Sequence, residues 1–200
     1  YQRSESWQEQ LGHYVTRHSQ VQTALTQSRQ QLAHFREAEL LRGMKRTIAT
    51  LEREQKALEV AIKRLSAPHV TPALAETKGV GPKLCAALLS MLPELGMVSN
   101  KSISSLVGVA PFNQDSGGKV GYRAISGGRG VLRRILYMGA LSAMRHDPAI
   151  AEFYARLKAA GKPFKVRIVA VMRKMLVRLN ARRRDELKSA LGSAAALQPA

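Results

Sequence analysis

The sequence predicts a mainly α-helical protein, with N-terminal coiled-coil helices followed by a small helical domain that carries a helix-hairpin-helix and a glycine-rich loop or hairpin. Three observations predict it. Leu11, His18, Leu25 and Leu32 recur every seven residues, with Tyr14, Val21, Ser28 and Phe35 three behind, which is an a/d seam. Prolines and glycines cut the chain beyond Leu65 into segments of helical length. The last of these segments carries Ile168, Met172, Met175 and Leu179 at steps of four, three and four, the apolar stripe of an amphipathic helix.

Residues 1–65 form the coiled-coil region. A second seam reads Ile48, Leu51, Leu58, Ile62 and Leu65, with Gln55 at an a position. Its register is offset by two residues from the first, which neither a stutter nor a stammer explains. Gly43 lies in the offset, so the expectation is two helices, kinked or folded back as a hairpin, with a break near residue 43. Such an element suits homo-dimers or tetramers. Residues 66–74 read as a linker because Pro68 and Pro72 interrupt any helix.

The second domain, 75–188, begins with a short helix end at Leu74–Lys78 and the turn "GVGP". A helix follows over Pro82–Met91, with proline at its first position. Ser99 or Asn100 caps a helix through Leu106. "APFNQDSGGKVGYRAISGGRG" reads as loop or hairpin, and helices are expected over Arg129–Met144, Pro148–Ala159 and Phe164–Leu187. The low-complexity tail 189–200 is expected to be disordered.

Charge narrows the partners. The chain holds 32 Lys+Arg against 14 Asp+Glu, a net +18. Residues 1–65 account for 11 and 7 of these, so 21 and 7 remain for residues 66–200. An excess of that size points to a polyanion or to a solvated basic surface. A membrane is disfavoured: a span needs about 18–20 apolar residues, and the longest candidate, Leu84–Pro93, is half that. No signal peptide is visible. The single cysteine, Cys85, excludes an internal disulfide and suits a reducing cytoplasm. The chain opens on Tyr1 within a helical pattern and reads as a piece of a longer protein.

Several segments could carry chemistry. Gly79 and Gly81 in "KGVGPK" would let backbone approach a phosphate, with a helix N-terminus behind them and Lys78 and Lys83 beside them. The segment resembles a helix-hairpin-helix, and a plain helix–helix turn fits the same residues. Arg129, Arg133 and Tyr137 share a helix face, a phosphate clamp or a solvated arginine face. Lys165, Arg167, Lys174, Arg178 and Arg182 lie on the last helix, where few acidic neighbours offer i,i+4 pairing. The three aspartates and the four glutamates beyond residue 65 suggest no two-metal site, and no zinc spacing occurs. Ser116 in "NQDSGGK" could be a nucleophile, with Lys119, Arg123, Arg129 and Arg133 supplying cations; an ordinary turn is the alternative, and no base is evident.

The ordered run of "PFNQDSG", "GGRGVLRRILYM" and "GKPFK", within residues 75–182, resembles the C-terminal domain of the transposases named after insertion sequence number 110, a family that includes the Piv-type DNA invertases. The helical region before it resembles that family's coiled coil. The resemblance implies that Ser116 attacks DNA to form a phosphoserine link. It also implies that an N-terminal RuvC-like domain with four acidic ligands supplies Mg²⁺, that a bridge RNA guides many members, and that dimers and tetramers share composite sites. It implies a bacterial, cytoplasmic and nucleoid-associated protein. These 200 residues hold no such acidic cluster, so the chain alone is expected to bind nucleic acid without cleaving it. A non-catalytic nucleic-acid-binding and oligomerisation module is the alternative.

Overall fold

The computed structural model describes residues 5–112 and 124–196 and divides the chain into two compact units, Tyr1–His69 and Val70–Ala200. The described residues are mainly α-helical.

The first unit is a helical hairpin of α1 (Ser6–Leu32) and α2 (Ala38–Ser66), closed by a 3₁₀ turn at Ala67–His69. Leu11, Val15, His18, Val21 and Leu25 are buried, at steps of three and four that bring them to one face of α1. The antiparallel pairing is fixed by side chains that meet across it. Arg17 Nε lies 2.7 Å from Glu54 Oε1, Arg29 Nη2 2.7 Å from Glu52 Oε1, and His18 Nε2 3.2 Å from Glu59 Oε1. Gln55, the polar residue of the second seam, donates to Gln22 Oε1 at 2.5 Å. At the open end Trp7 stacks on His69, centroids 3.5 Å apart and planes within 2°.

The chain reverses at residues 33–37, not near residue 43. Gly43 lies inside α2. A glycine in a helix costs only about 1 kcal/mol relative to alanine. The apolar stripe of Leu41, Met44, Ile48 and Leu51, half-buried throughout, continues across it.

The second unit comprises α3 (Pro72–Ala75), α4 (Pro82–Met91), α5 (Asn100–Val107), β1 (Pro111–Phe112), β2 (Ala124–Ile125), α6 (Gly130–His146), α7 (Pro148–Ala159) and α8 (Phe164–Ala196). Local chemistry sets its boundaries. Proline opens α3, α4 and α7, where the missing N–H has no helical partner to lose. The Ser99 hydroxyl accepts from the Ser102 N–H, and α5 ends on left-handed Gly108. Asp147 accepts the Ala149 and Ile150 N–H groups at the start of α7. The core lies where α6 meets α4, α7 and α8, on buried Leu84, Leu88, Leu132, Leu136, Ile150, Met172, Met175 and Leu179.

β1 and β2 pair antiparallel, Pro111 with Ile125 and Phe112 with Ala124. α8 runs on through Ala196, so residues 189–196, expected to be disordered, are helical. Their alanine-rich sequence has high intrinsic helix propensity. The residue that ties α8 to the rest is buried Asn180. Its Oδ1 accepts from the Gly96 N–H at 2.8 Å, and its Nδ2 donates to the Val98 carbonyl and Asn100 Oδ1, each at 3.0 Å. Every polar atom of that amide is thereby engaged, as burial demands.

Candidate nucleic-acid interface

Three places in the second unit bear on the residues singled out from the sequence: the turn before α4, the junction before α6, and a groove between α6, α7 and α8.

At the turn, Gly79 adopts φ +87°, and a Cβ there would stand 2.6 Å from the Gly139 carbonyl oxygen and 2.7 Å from Ala143 Cβ. Gly139 in turn has no room for a Cβ beside Leu84. Gly79 therefore serves close packing between the turn and α6. Gly81 does have open space around it, and Lys78 beside the turn is exposed. Lys83, in the first turn of α4, is half-buried.

At the junction, the chain leaving β2 crosses the C-terminus of α5. Gly128, at φ +66°, lies so near Gly108 that a Cβ would stand 2.5 Å from the Gly108 nitrogen. The Arg129 N–H donates to the Leu106 carbonyl at 2.9 Å. The Arg133 guanidinium donates to the carbonyls of Gly127 and Gly108. The lead-in to α6 is thus clamped to α5 by backbone and by one arginine.

Arg129 departs from the expected open clamp. Its guanidinium makes two bonds to Glu94, 2.7 Å from Oε2 and 2.6 Å from Oε1. This bidentate geometry is the strongest that the two groups offer, and the bond to Arg129 holds the Glu94 carboxyl below the usual carboxylate range. Arg178 departs similarly: Asp147 on the next helix lies 2.9 Å away. An acidic partner exists, but from another element, so helical i,i+4 spacing could not reveal it.

The groove measures about 1380 Å³. Val109, Met138, Val166, Val169, Met172 and Val177 form an apolar floor with Tyr137 and Phe153 among them, and Pro111 and Ile125 stand at one edge. Six cations line it: Arg133, Arg134, Arg156, Lys165, Arg173 and Lys174. Among the described residues none has a carboxylate partner, and no acidic side chain lines the groove. Phe153 lies between two of them, with Lys174 Nζ 4.2 Å and the Arg156 guanidinium 5.8 Å from its centroid. Arg167 packs its guanidinium over Tyr154 at 4.8 Å.

Of the residues proposed from sequence, the groove gathers Arg133, Lys165, Lys174 and Tyr137. Gly79, Gly81, Lys78 and Lys83 stand at the turn, and Arg129 and Arg178 are ion-paired. Ser116, Lys119 and Arg123 lie outside the described residues. Sequence reasoning missed Arg134, Arg156 and Arg173. The available signal was the absence of any acidic residue from the α6 sequence and the one glutamate of α7. Cys85 is buried in α4, and burial pushes its thiol up to about 11. Among the described residues no group of three or more His, Cys, Asp or Glu could hold a metal ion. None of their helices is long and apolar enough to cross a membrane.

Comparison with known proteins finds similarity over part of this architecture. Residues 71–155 match the family described as the Transposase IS116/IS110/IS902 family. This span takes in α3 to α7 except for the last residues of α7, and stops short of α8 with its three groove cations. Over 142 residues the chain is 29% identical to the "Insertion element IS110 uncharacterized 43.6 kDa protein" of Streptomyces coelicolor, a match covering 70% of this chain. It covers 35% of that relative, so the matched stretch is about a third of the relative's length.

Proposed function

We propose that this chain is the serine-bearing, nucleic-acid-gripping part of a DNA transposase or site-specific recombinase. The observation that carries the proposal is a groove lined, among the described residues, by six cations and no carboxylate, with Pro111 and Ile125 in its wall. These two residues pair in the ladder from which residues 113–123 extend. Ser116 follows Phe112 by four residues in sequence.

In the proposed reaction Ser116 Oγ forms a bond to a backbone phosphorus while one P–O bond to the sugar breaks. The hydroxyl proton passes to a base, and the released sugar oxygen takes up a proton. The phosphodiester energy is kept in the phosphoserine link, ready for the reverse step on a new strand end. Cations beside the phosphate offset the charge on its non-bridging oxygens. Lys119 and Arg123, neighbours of Ser116 in sequence, are proposed for that role.

The described residues do not fit a catalytic metal, because Glu94, Asp147 and Glu186 are bonded to Arg129, Arg178 and Arg183. Mg²⁺ is proposed to bind in a separate RuvC-like domain acting beside this one. A bridge RNA as guide, assembly through the α1–α2 hairpin as dimer or tetramer, and a nucleoid-associated place in a bacterial cytoplasm belong to the same proposal.

One observation favours a second reading, a binding module without a nucleophile: Arg129, expected to serve Ser116, is engaged by Glu94. Incubation of labelled DNA with this chain and a RuvC-like domain separates the two. A denaturation-stable protein–DNA adduct, lost in Ser116→Ala, is expected. Recombination unaffected by Ser116→Ala would leave only the binding module. The 200-residue chain alone is expected to bind without cleaving.

A further inference from the structure

The groove's floor carries information that its charge does not. Phosphate contact needs cations and nothing else, and a duplex hides the faces of its bases inside the stack. A groove built only to hold duplex backbone would gain nothing from an apolar bed. Yet here the cations stand around one, and part of it is open to solvent: Met138 is 63% exposed and Val166 45%, while Val109 and Met172 beneath are buried. At about 1380 Å³ the groove also exceeds the roughly 300–1,000 Å³ of small-molecule sites. Its complement is a long anion with apolar faces of its own.

We infer that this groove binds an unpaired nucleic-acid strand in preference to a duplex. The phosphates meet Arg134, Arg156 and Arg173, and the bases lie against Met138, Val166 and the rings of Tyr137 and Phe153. Charge complementarity selects this occupant over a protein segment, because six cations and, among the described residues, no carboxylate suit a chain with a charge on every unit. Base-to-aromatic stacking and burial on apolar side chains are sequence-tolerant, since every base has a π-face. The inference rests on the nucleic-acid reading above and specifies the form of the strand.

The test uses the 200-residue chain and fluorescein-labelled oligonucleotides of about 15 nucleotides, read by anisotropy at fixed ionic strength. DNA and RNA strands are each compared with their own duplexes. A single strand of at least one kind is expected to bind about 10-fold more tightly than its duplex, the effect of roughly one stacked base. Met138→Gln and Phe153→Leu, alike in size to the residues they replace, are expected to erase that preference, read as the ratio of single-strand to duplex affinity in the same variant. Circular dichroism confirms folding, and Met138→Gln, at an exposed site, keeps the test valid if Phe153→Leu unfolds.

Duplex bound as tightly as single strand, or a preference that survives both substitutions, overturns the inference and leaves the proposed function standing. Failure of every nucleic acid to bind removes that function as well. Self-association abolished by Met138→Gln, without any strand preference, would assign the groove to a second protein surface and also overturn the inference.

Discussion

Along α8, Lys165, Arg173 and Lys174 line the groove with no carboxylate partner among the described residues, whereas Arg178, Arg182, Arg183 and Arg184 a turn or two further on are all engaged. Arg178 meets Asp147, Arg182 the Thr77 hydroxyl, Arg183 Glu186 and Arg184 the Val98 carbonyl. Both halves are basic in sequence. One half holds the unit together and the other stays without a carboxylate among the described residues, so positive charge alone does not mark a binding surface. What marks it is charge whose compensation is missing within the fold.

The comparison is most directly broken by substituting the two halves separately. Alanine at Arg134, Arg156 and Arg173 together is expected to weaken nucleic-acid binding about 100- to 1000-fold at low salt, as loss of three phosphate contacts requires. The melting temperature should hardly move, since all three side chains are exposed. A triple variant that binds normally would end the distinction between the halves. A quantitative form uses salt: for single strands the logarithm of affinity should fall with log salt at a slope near −0.7 per phosphate contacted, about −3 to −4 for the groove's cations.

The paired cations should show the opposite behaviour. Arg178→Ala leaves the largely buried Asp147 with only its α7 capping bonds and is expected to cost about 2 kcal/mol, read as a lower urea midpoint. Nucleic-acid affinity at a temperature where the variant is folded should change little. Gly79→Ala tests the packing account of the turn: strain at φ +87° and the collision with α6 should together cost about 2–4 kcal/mol. Unchanged stability would end the packing account.

The smallest effect concerns Glu94, whose folded-state carboxyl is lowered by its bond to Arg129. Its contribution is therefore present above the unfolded carboxylate range and lost as pH falls through the lowered value. Glu94→Gln is expected to cost about 1 kcal/mol at neutral pH and progressively less in acid, measured by melts at each pH. A difference independent of pH would exclude the ion pair as its source.

Much of the fold was legible because local signals set helix ends. Pro82, Pro148 and Ser99 mark starts, and the expected Pro82–Met91 and Pro148–Ala159 are the observed spans of α4 and α7. The hairpin was legible as two seams, but not its turn, because Gly43 is a weaker breaker than the seam around it is a helix former. The interface was half legible. Lys165, Lys174 and Arg133 were read from their faces, yet the pairs Arg129–Glu94 and Arg178–Asp147 join residues 35 and 31 apart. Contacts at that separation follow from how helices pack, which no local pattern encodes. Gly79 suggested close approach to a ligand, where its Cα side is packed against Gly139 and Ala143 of α6.

The Asn180 amide has a bearing on how this domain tolerates changes of length. Each residue along a helix turns the next by about 100°. One codon inserted or deleted between Val177 and Asn180 would leave the groove wall in place and swing everything beyond it away from its partners. Gly96, Val98 and Asn100 would lose their bonds to Asn180, and Arg183 and Arg184 would point elsewhere. Length variation among relatives is therefore expected before Phe164 or beyond Leu187, and not in the turns between.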